Sequence, residues 1–378
     1  MQQFSADPIH RRSFRLLLTI LLLIFAALAE AQGNRWTFRG PASTRATRVL
    51  IDPLVSTVLY AQIGGSLFRS LDAAATWQLM TDGLPSSAVV LVSPEAPNTL
   101  YARYNNTDGP SKIFNSSDGG ATWLTLQTDL DARAPLACMA VAATTPATIY
   151  VGTAEVCTLL GGCTYTGGVF KSTNGGTRWK AAGLDGYSVL KLTPSPATSG
   201  LIYAMDLYDQ EFFRSADGGG SWTVGRSPTT EWCPDCPLTA DPVLPSTVYV
   251  GDRRGILKST TGGASWTLSA TGLPTLLLLT ALVIDPADPS VIYAGDSESG
   301  VFQSKDGGST WSEFTDGLTS CRPCKQCCQS VNSLAIDRTG NHLYAGTIAG
   351  VFEFDFTARA ITKPQPRPAS PRVVVPRR

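Results

Sequence analysis

The chain contains little histidine and little charge. Of its 378 residues only 2 are histidines and 16% are charged, whereas 43% are hydrophobic. Two histidines, one of them His10 near the N-terminus, are too few for a histidine-rich metal site, and we expect neither a metal nor another cofactor. The low charge excludes long coiled-coil or disordered architectures. The 35 glycines and 25 prolines indicate instead a chain that turns often.

The zero net charge conceals an uneven distribution. Residues 32–358 contain 21 basic and 28 acidic side chains, so this region carries a charge of about −7. A surface of that sign repels phosphate backbones, and we therefore expect no nucleic-acid partner. The compensating positive charge lies at the two ends of the chain.

The longest hydrophobic run, Leu16–Ala29, lies close to the N-terminus. It follows the basic segment His10–Arg15 and precedes Ala29-Glu30-Ala31, a small-x-small pattern read by signal peptidase. Residues 1–31 are therefore predicted to be a signal peptide, with a mature chain from about Gln32. An uncut membrane anchor is the alternative, although 14 residues are short for a bilayer.

The export route has two readings. Arg11-Arg12-Ser13-Phe14 fits a twin-arginine signal, whereas the leucine-rich run favours the general secretory route. Both predict a secreted or periplasmic protein without a membrane span after cleavage.

A repeat organises the chain between this leader and the tail. Six segments read Ser-x-Asp-x-Gly-x-(Thr/Ser)-Trp or close to it, and we call each of them a box. The boxes are SLDAAATW (70–77), SSDGGATW (116–123), STNGGTRW (172–179), SADGGGSW (215–222), STTGGASW (259–266) and SKDGGSTW (304–311). Their tryptophans are 46, 56, 43, 44 and 45 residues apart. A period of about 45 with four short apolar runs per repeat is typical of a β-propeller blade.

The repeat count also predicts how the ring closes. After the sixth box the chain offers three strand-like segments, residues 333–338, 342–346 and 350–354, without a box or a tryptophan strand. Arg35–Phe38 resembles the missing tryptophan strand. Pairing it with the last three strands gives an all-β, seven-bladed propeller over residues 32–356, closed by the two ends of the chain, and leaves no open sheet edge.

The box pattern resembles the Asp-box, or BNR-repeat, sialidase-like propellers over almost the whole mature chain. That group includes sialidases, xyloglucan-degrading endoglucanases, the sortilin ectodomain and photosystem II assembly factors. The resemblance therefore implies a fold far more narrowly than a function.

The boxes themselves have the composition of structural turns. A serine hydroxyl and a carboxylate accept main-chain N–H groups, glycine permits a positive φ, and tryptophan fills space between sheets. Two boxes lack the aspartate, which argues against a repeated catalytic or metal role. The residues assigned to this structural role are Ser70, Asp72, Trp77, Ser116, Asp118, Trp123, Ser172, Asn174, Trp179, Ser215, Asp217, Trp222, Ser259, Thr261, Trp266, Ser304, Asp306 and Trp311.

The irregular residues are expected on the opposite face. Because strand direction alternates, the loops between second and third strands and the links between blades should lie together, and we call this side the loop face. Binding residues usually lie on loops held by a rigid scaffold; solvated loops without a ligand are the less favoured alternative. The ligand-binding candidates are Arg39, Tyr104, Asp206, Tyr208, Asp209, Glu211, Trp232, Asp252, Arg253, Arg254, Asp296 and Glu298.

All nine cysteines are expected near the loop face. They are Cys138, Cys157, Cys163, Cys233, Cys236, Cys321, Cys324, Cys327 and Cys328. In an exported protein they predict disulfides, with one thiol left over. We predict that Cys157 pairs with Cys163 across a five-residue loop, with Cys138 as the competing partner. A metal or cluster site at 321–328 and a redox role for residues 233–236 are alternatives.

Catalysis is the less favoured reading. Phe38-Arg39-Gly40-Pro41 resembles the arginine motif of sialidases, with Gly40 in place of isoleucine, and Arg253 or Arg254 offers a second arginine, but no third is evident. Two carboxylates of the loop face could support an inverting glycosidase, although the xyloglucan-degrading relatives clamp their polymer between two propellers.

We therefore predict an exported, non-catalytic binding or assembly module for a protein segment or glycan, monomeric, with a glycoside hydrolase as the alternative. Residues 357–378 are Pro-rich and basic and are predicted to be a disordered tail.

Overall fold

A computed structural model of the chain describes most of the predicted mature protein. The described residues are 35–41, 45–80, 83–105, 110–126, 130, 135–144, 147–157, 163–165, 167–206, 211–226, 236–318 and 330–357. The predicted signal peptide and nearly all of the predicted tail lie outside them. Within this part of the chain, no helix is long and apolar enough to cross a membrane.

The described strands form seven antiparallel four-stranded sheets and one small hairpin, so the fold is an all-β propeller of seven blades. Blade one contains β2 (Ala46–Ile51), β3 (Leu59–Ile63), β4 (Ser66–Ser70) and β5 (Gln78–Met80). Blade two contains β6 (Val89–Val92), β7 (Leu100–Tyr104), β8 (Lys112–Ser116) and β9 (Leu124–Leu126). Blade three contains β10 (Leu136–Ala142), β11 (Thr148–Thr153), β14 (Gly168–Ser172) and β15 (Lys180–Ala181), with the hairpin β12 (Val156–Cys157) and β13 (Cys163–Tyr165) between its second and third strands.

The remaining blades follow the same order. Blade four contains β16 (Val189–Pro194), β17 (Ile202–Asp206), β18 (Glu211–Ser215) and β19 (Thr223–Arg226). Blade five contains β20 (Leu238–Ala240), β21 (Val248–Asp252), β22 (Gly255–Ser259) and β23 (Thr267–Ser269). Blade six contains β24 (Leu279–Ile284), β25 (Ile292–Asp296), β26 (Gly300–Ser304) and β27 (Ser312–Glu313). Blade seven combines β28 (Val331–Ile336), β29 (His342–Thr347) and β30 (Gly350–Asp355) with β1 (Thr37–Gly40).

Blade seven confirms the predicted closure of the ring. Strand β1 pairs antiparallel with β30, placing Thr37 opposite Glu353 and Phe38 opposite Phe352. Trp36, just before β1, is 2% exposed. Its main-chain N–H donates to the carbonyl of Asp316, and its indole N–H donates to the carbonyl of Phe314 at 2.7 Å. The first strand of the chain therefore binds both blade seven and its neighbour, blade six.

The hydrophobic core lies between adjacent blades rather than in one central mass. Second and third strands present apolar side chains on both faces, and β3, β17, β21, β25 and β26 are buried along their whole length. One such layer joins blades six and seven through Trp36, Val301, Val331 and Phe352. Each blade is thus buried against two neighbours, which explains why the ring must close.

All six boxes lie in the turn between the third and fourth strands and share one hydrogen-bonding pattern. The serine hydroxyl accepts the main-chain N–H four residues later at 2.8–2.9 Å, as from Gly308 to Ser304. The side-chain oxygen of the third position likewise accepts an N–H four residues on, as Asp306 does from Thr310.

The two boxes without aspartate keep these bonds. Asn174 Oδ1 accepts the N–H of Arg178, and Thr261 Oγ1 accepts that of Ser265. An oxygen acceptor, not a negative charge, is therefore the common feature of the six boxes.

The box tryptophans connect neighbouring blades. The indole N–H of Trp77 donates to the Arg39 carbonyl of blade seven, and that of Trp222 donates to the Ala182 carbonyl of blade three. Trp311 donates to the Ser269 hydroxyl of blade five. Each of these rings sits against the outer strand of the preceding blade, so the box stabilises a blade interface as well as its own turn.

Candidate functional site

The two faces of the ring differ in how closely their connections between strands repeat from blade to blade. The box face carries the boxes together with the turns between first and second strands. These turns contact one another: Asn98 N–H donates to Asp52 Oδ2 at 2.7 Å, and the Arg338 guanidinium donates to the Pro94 carbonyl at 2.8 Å. The opposite end is the loop face, where the connection between second and third strands ranges from a two-residue turn in blades one, five and seven to the segment with the β12–β13 hairpin in blade three.

Three candidate aspartates end second strands at the loop face. Asp206, Asp252 and Asp296 are the last residues of β17, β21 and β25 and are 0%, 3% and 1% exposed. Asp206 accepts the N–H of Ser188, and Asp296 accepts that of Leu278, in each case from the link that precedes the blade.

Asp252 binds within its own turn. It accepts both the main-chain N–H and the guanidinium Nε of Arg254, at 2.9 and 2.8 Å. These contacts support a structural role in which each aspartate fixes the main chain of a loop. None of the three carboxylates is exposed to a solvent cleft in the way a glycosidase pair requires.

Main-chain hydrogen bonds join the loop-face residues of blades five and six into one surface. Leu277 N–H donates to the Arg253 carbonyl, and Ser297 N–H donates to the Leu278 carbonyl, so the link before β24 lies between two loop-face turns. Leu276 is 62% exposed and Leu278 is 37% exposed on this link. The exposed side chains of Arg253 and Glu298 lie on the flanking turns. We call Arg253, Leu276, Leu278 and Glu298 the link patch.

The other candidates are dispersed. Tyr104 is half-buried and packs against the apolar layer between blades one and two. Glu211, which begins β18 opposite Asp206, has a buried Oε2 atom without a hydrogen-bond partner among the described residues. Tyr208, Asp209 and Trp232 lie outside the described residues.

Arg39 does not join the loop-face residues. It lies on β1, the outermost strand of blade seven, and its Nε is 2.6 Å from Glu353 Oε2. Glu353 also accepts from Tyr344 at 2.9 Å and contacts His342 Nδ1 at 2.9 Å. Burial raises the pKa of Glu353, but the bonds from His342 and Arg39 more than offset this, so its pKa lies below the usual value. Arg39 therefore helps to close the ring.

Sequence reasoning missed a group of positive charges in the central channel. The channel has a volume of about 360 Å³ and is lined by the first strands of all seven blades. Arg48 and Lys191 come from two of these strands, and Arg103 comes from the second strand of blade two. The sequence does contain an indication of these charges, because Arg48 and Lys191 interrupt strands that are otherwise mostly apolar.

The described cysteines bear partly on the disulfide prediction. Cys157 lies opposite Cys163 in the β12–β13 hairpin, which is the register the predicted disulfide needs, and the bond itself stays a prediction. Cys138 is a free thiol, so the competing pairing with Cys138 is absent. The segment 321–328 and Cys233 lie outside the described residues. In the described part of the chain, no group of three or more histidine, cysteine, aspartate and glutamate side chains could hold a metal ion.

Comparison with known proteins supports the fold. No protein-family model matches the sequence, and no curated protein matches it. Among solved structures, a GH74 xyloglucanase from Xanthomonas campestris is 16% identical with a TM-score of 0.61, over 86% of this chain and 54% of that one. YCF48 bound to D1 peptide is also 16% identical, with a TM-score of 0.58 over 85% of this chain and 94% of that one. YCF48 from Cyanidioschyzon merolae is 12% identical with a TM-score of 0.60, over 85% and 98% of the two chains.

These neighbours are similar in fold alone, given their low identity. The chain spans about half the length of the GH74 enzyme that it matches, whereas it matches YCF48 over nearly the whole of that protein.

Proposed function

We propose that the protein is an exported, non-catalytic β-propeller that binds a protein segment on its loop face. The observation that carries the proposal is the link patch, in which Leu276 and Leu278 are exposed between the charged side chains of Arg253 and Glu298. Exposed apolar side chains with a polar rim are characteristic of protein-binding surfaces.

The chemistry of the described loop face favours a protein segment over a glycan. Sugar rings pack well on exposed aromatic faces, but Tyr104, the aromatic candidate described on this face, is half-buried. A structural neighbour of matching length, YCF48, has been solved with a D1 peptide, which supports peptide binding as a use of this architecture.

Glycoside hydrolysis is the second candidate, favoured by the structural likeness to the GH74 xyloglucanase and by the buried Oε2 of Glu211. The burial of Asp206, Asp252 and Asp296 argues against it, because their hydrogen bonds to the main chain occupy the carboxylates that a hydrolase would use.

The proposal is tested with purified residues 32–378 on an array of varied peptides, beside a glycan panel and chromogenic glycosides. We expect peptide binding that Leu276→Asp weakens at least tenfold. Leu124→Asp is the matched control, because Leu124 is 66% exposed on the outer strand β9, away from the loop face; we expect its affinity within twofold of the wild type. Glycoside turnover, or equal effects of the two substitutions, would overturn the proposal.

A further inference from the structure

The central channel concentrates positive charge without acidic side chains. Its described lining residues include Arg48, Arg103 and Lys191 but no aspartate or glutamate. This positive charge is opposite in sign to the net charge of residues 32–358, where acidic residues outnumber basic ones. The positive charge is therefore a local property of the channel.

The two arginines are anchored to the channel wall by main-chain carbonyls. Arg48 Nη1 donates to the Val90 carbonyl at 3.2 Å, and Arg103 Nη1 donates to the Leu136 carbonyl at 2.5 Å. Both acceptors lie on the first strand of the following blade. Each guanidinium has five N–H donors, and neither has a carboxylate partner among the described residues.

Register shows that the charges occupy equivalent places in the repeat. The first strands of five blades have a register shift after their first residue, and the residue following each shift is Arg48, Cys138, Lys191, Ala281 or Ser333. These five residues all line the channel. The fold thus turns one repeated position inward, and in two blades that position carries a cation.

The positive charges of Arg48 and Arg103 also repel each other. Burial, followed by repulsion from Arg103, lowers the pKa of Arg48 to about 10, and burial lowers the pKa of Arg103. Both remain charged at neutral pH. Like charges in a partly enclosed, partly desolvated space attract an anion more strongly than they would in bulk water, because solvent screening there is weaker.

We propose that the channel binds a small-molecule oxyanion, with Arg48 and Arg103 as its main contacts and Lys191 as an additional cation. The volume of about 360 Å³ lies at the lower end of the range for small-molecule sites. The ligand class is a compact carboxylate or phosphate compound. This site is separate from the link patch, so it stands or falls independently of the peptide-binding proposal.

The test uses the mature chain and three probes: succinate, inorganic phosphate, and an acid-terminated peptide beside its amide. Thermal unfolding is followed at constant ionic strength. We expect a saturable rise in melting temperature with succinate or phosphate, as a ligand of the folded state requires. Arg48→Gln should raise the apparent Kd at least tenfold, and Arg178→Gln, which removes an exposed box-face charge, should leave it within twofold.

Two additions keep the test decisive. If Arg48→Gln fails to fold, Lys191→Gln replaces it, with a rise in Kd of at least threefold expected. Peptide mapping after thiol labelling gives a second readout, because Cys138 lines the same channel and a bound anion should slow its modification. A shift that never saturates, equal Kd values in all variants, or binding of the acid-terminated peptide but of neither small anion would overturn the proposal.

Discussion

The box face and the loop face are built from the same seven blades but follow opposite rules. On the box face one hydrogen-bonding pattern occurs six times, and the aspartate can be replaced by Asn174 or Thr261 without loss of the turn. On the loop face the second-to-third connections range from the tight turn at Gly64-Gly65 to the connection that contains the β12–β13 hairpin.

The difference shows where the chain has freedom to vary. The boxes bind main-chain groups and adjacent blades, so they are constrained by the ring. The described loop-face connections are held at their bases, where buried carboxylates such as Asp296 hold the main chain, and by a few main-chain bonds to the links between blades. Function is therefore expected where the repeat is broken, and stability where it is kept.

The repeated framework should be most sensitive where the two ends of the chain meet. Trp36→Ala removes a buried ring that packs edge-on against Phe314 and Phe354, and we expect a loss of about 3 to 5 kcal/mol in the free energy of unfolding. Phe38→Ala, at a side chain 41% exposed on the same strand, should cost about 1 kcal/mol or less. Urea unfolding of both variants measures the difference, and equal losses would show that β1 does not close the ring through Trp36.

A box substitution should have a smaller effect that depends on the oxygen rather than the charge. Asp306→Ala removes bonds to the Thr310 N–H and hydroxyl and to Ser304, with an expected loss of about 1 kcal/mol at neutral pH. Asp306→Asn, which copies the natural Asn174 box, should retain most of that stability. Chemical unfolding of the two variants tests this, and an equal loss in both would mean that the charge itself is needed.

The acid dependence of this box follows from its pKa. Hydrogen bonds from the Thr310 side chain and main chain lower the pKa of Asp306 from 3.8 to about 2. A carboxyl with a lower pKa in the folded state contributes stability above its unfolded value, and that contribution is lost as pH falls from 3.8 to about 2. Asp306→Asn should flatten the pH dependence of unfolding in this window; an unchanged slope would contradict the assignment.

The smallest expected effect is a gain in stability in the first box. Ala73 and Ala74 have φ angles of 54° and 65°, where other boxes have glycines such as Gly307 at 66°. Ala73→Gly should relieve this left-handed conformation and stabilise the protein by about 0.5 to 1 kcal/mol. Ala75→Gly, in the same box without a positive φ, should instead be slightly destabilising. Thermal melting of the pair measures it, and a lower melting temperature for Ala73→Gly would show that the alanine is favoured there.

The fold could be predicted because its determinants repeat. Six boxes and a tryptophan-bearing segment at Trp36 fixed the blade count and the closure before any contact was known. The link patch and the channel cations could not be found in this way. Exposure of Leu276 depends on how the link crosses between two blades, and the convergence of Arg48 with Arg103 depends on the curvature of the ring and on the register shift in β2.

The candidate carboxylates show the converse case, in which residues predicted from the sequence to bind a ligand have a structural role in the fold. Asp206, Asp252 and Asp296 begin loop-face connections of dissimilar sequence, which made them look functional, but they occupy one equivalent, buried position at the ends of second strands. Their partners are main-chain N–H groups in separate segments, so only the assembled fold shows what they bind.

The division between a stabilising box face and a binding loop face is tested most directly by measuring, on the same samples, the melting temperature and the affinity for a peptide identified on the array. The account predicts that Asp306→Ala lowers the melting temperature and leaves the affinity within twofold of the wild type, whereas Leu276→Asp leaves the melting temperature unchanged and weakens binding at least tenfold. Loss of binding in Asp306→Ala without a lower melting temperature would contradict it.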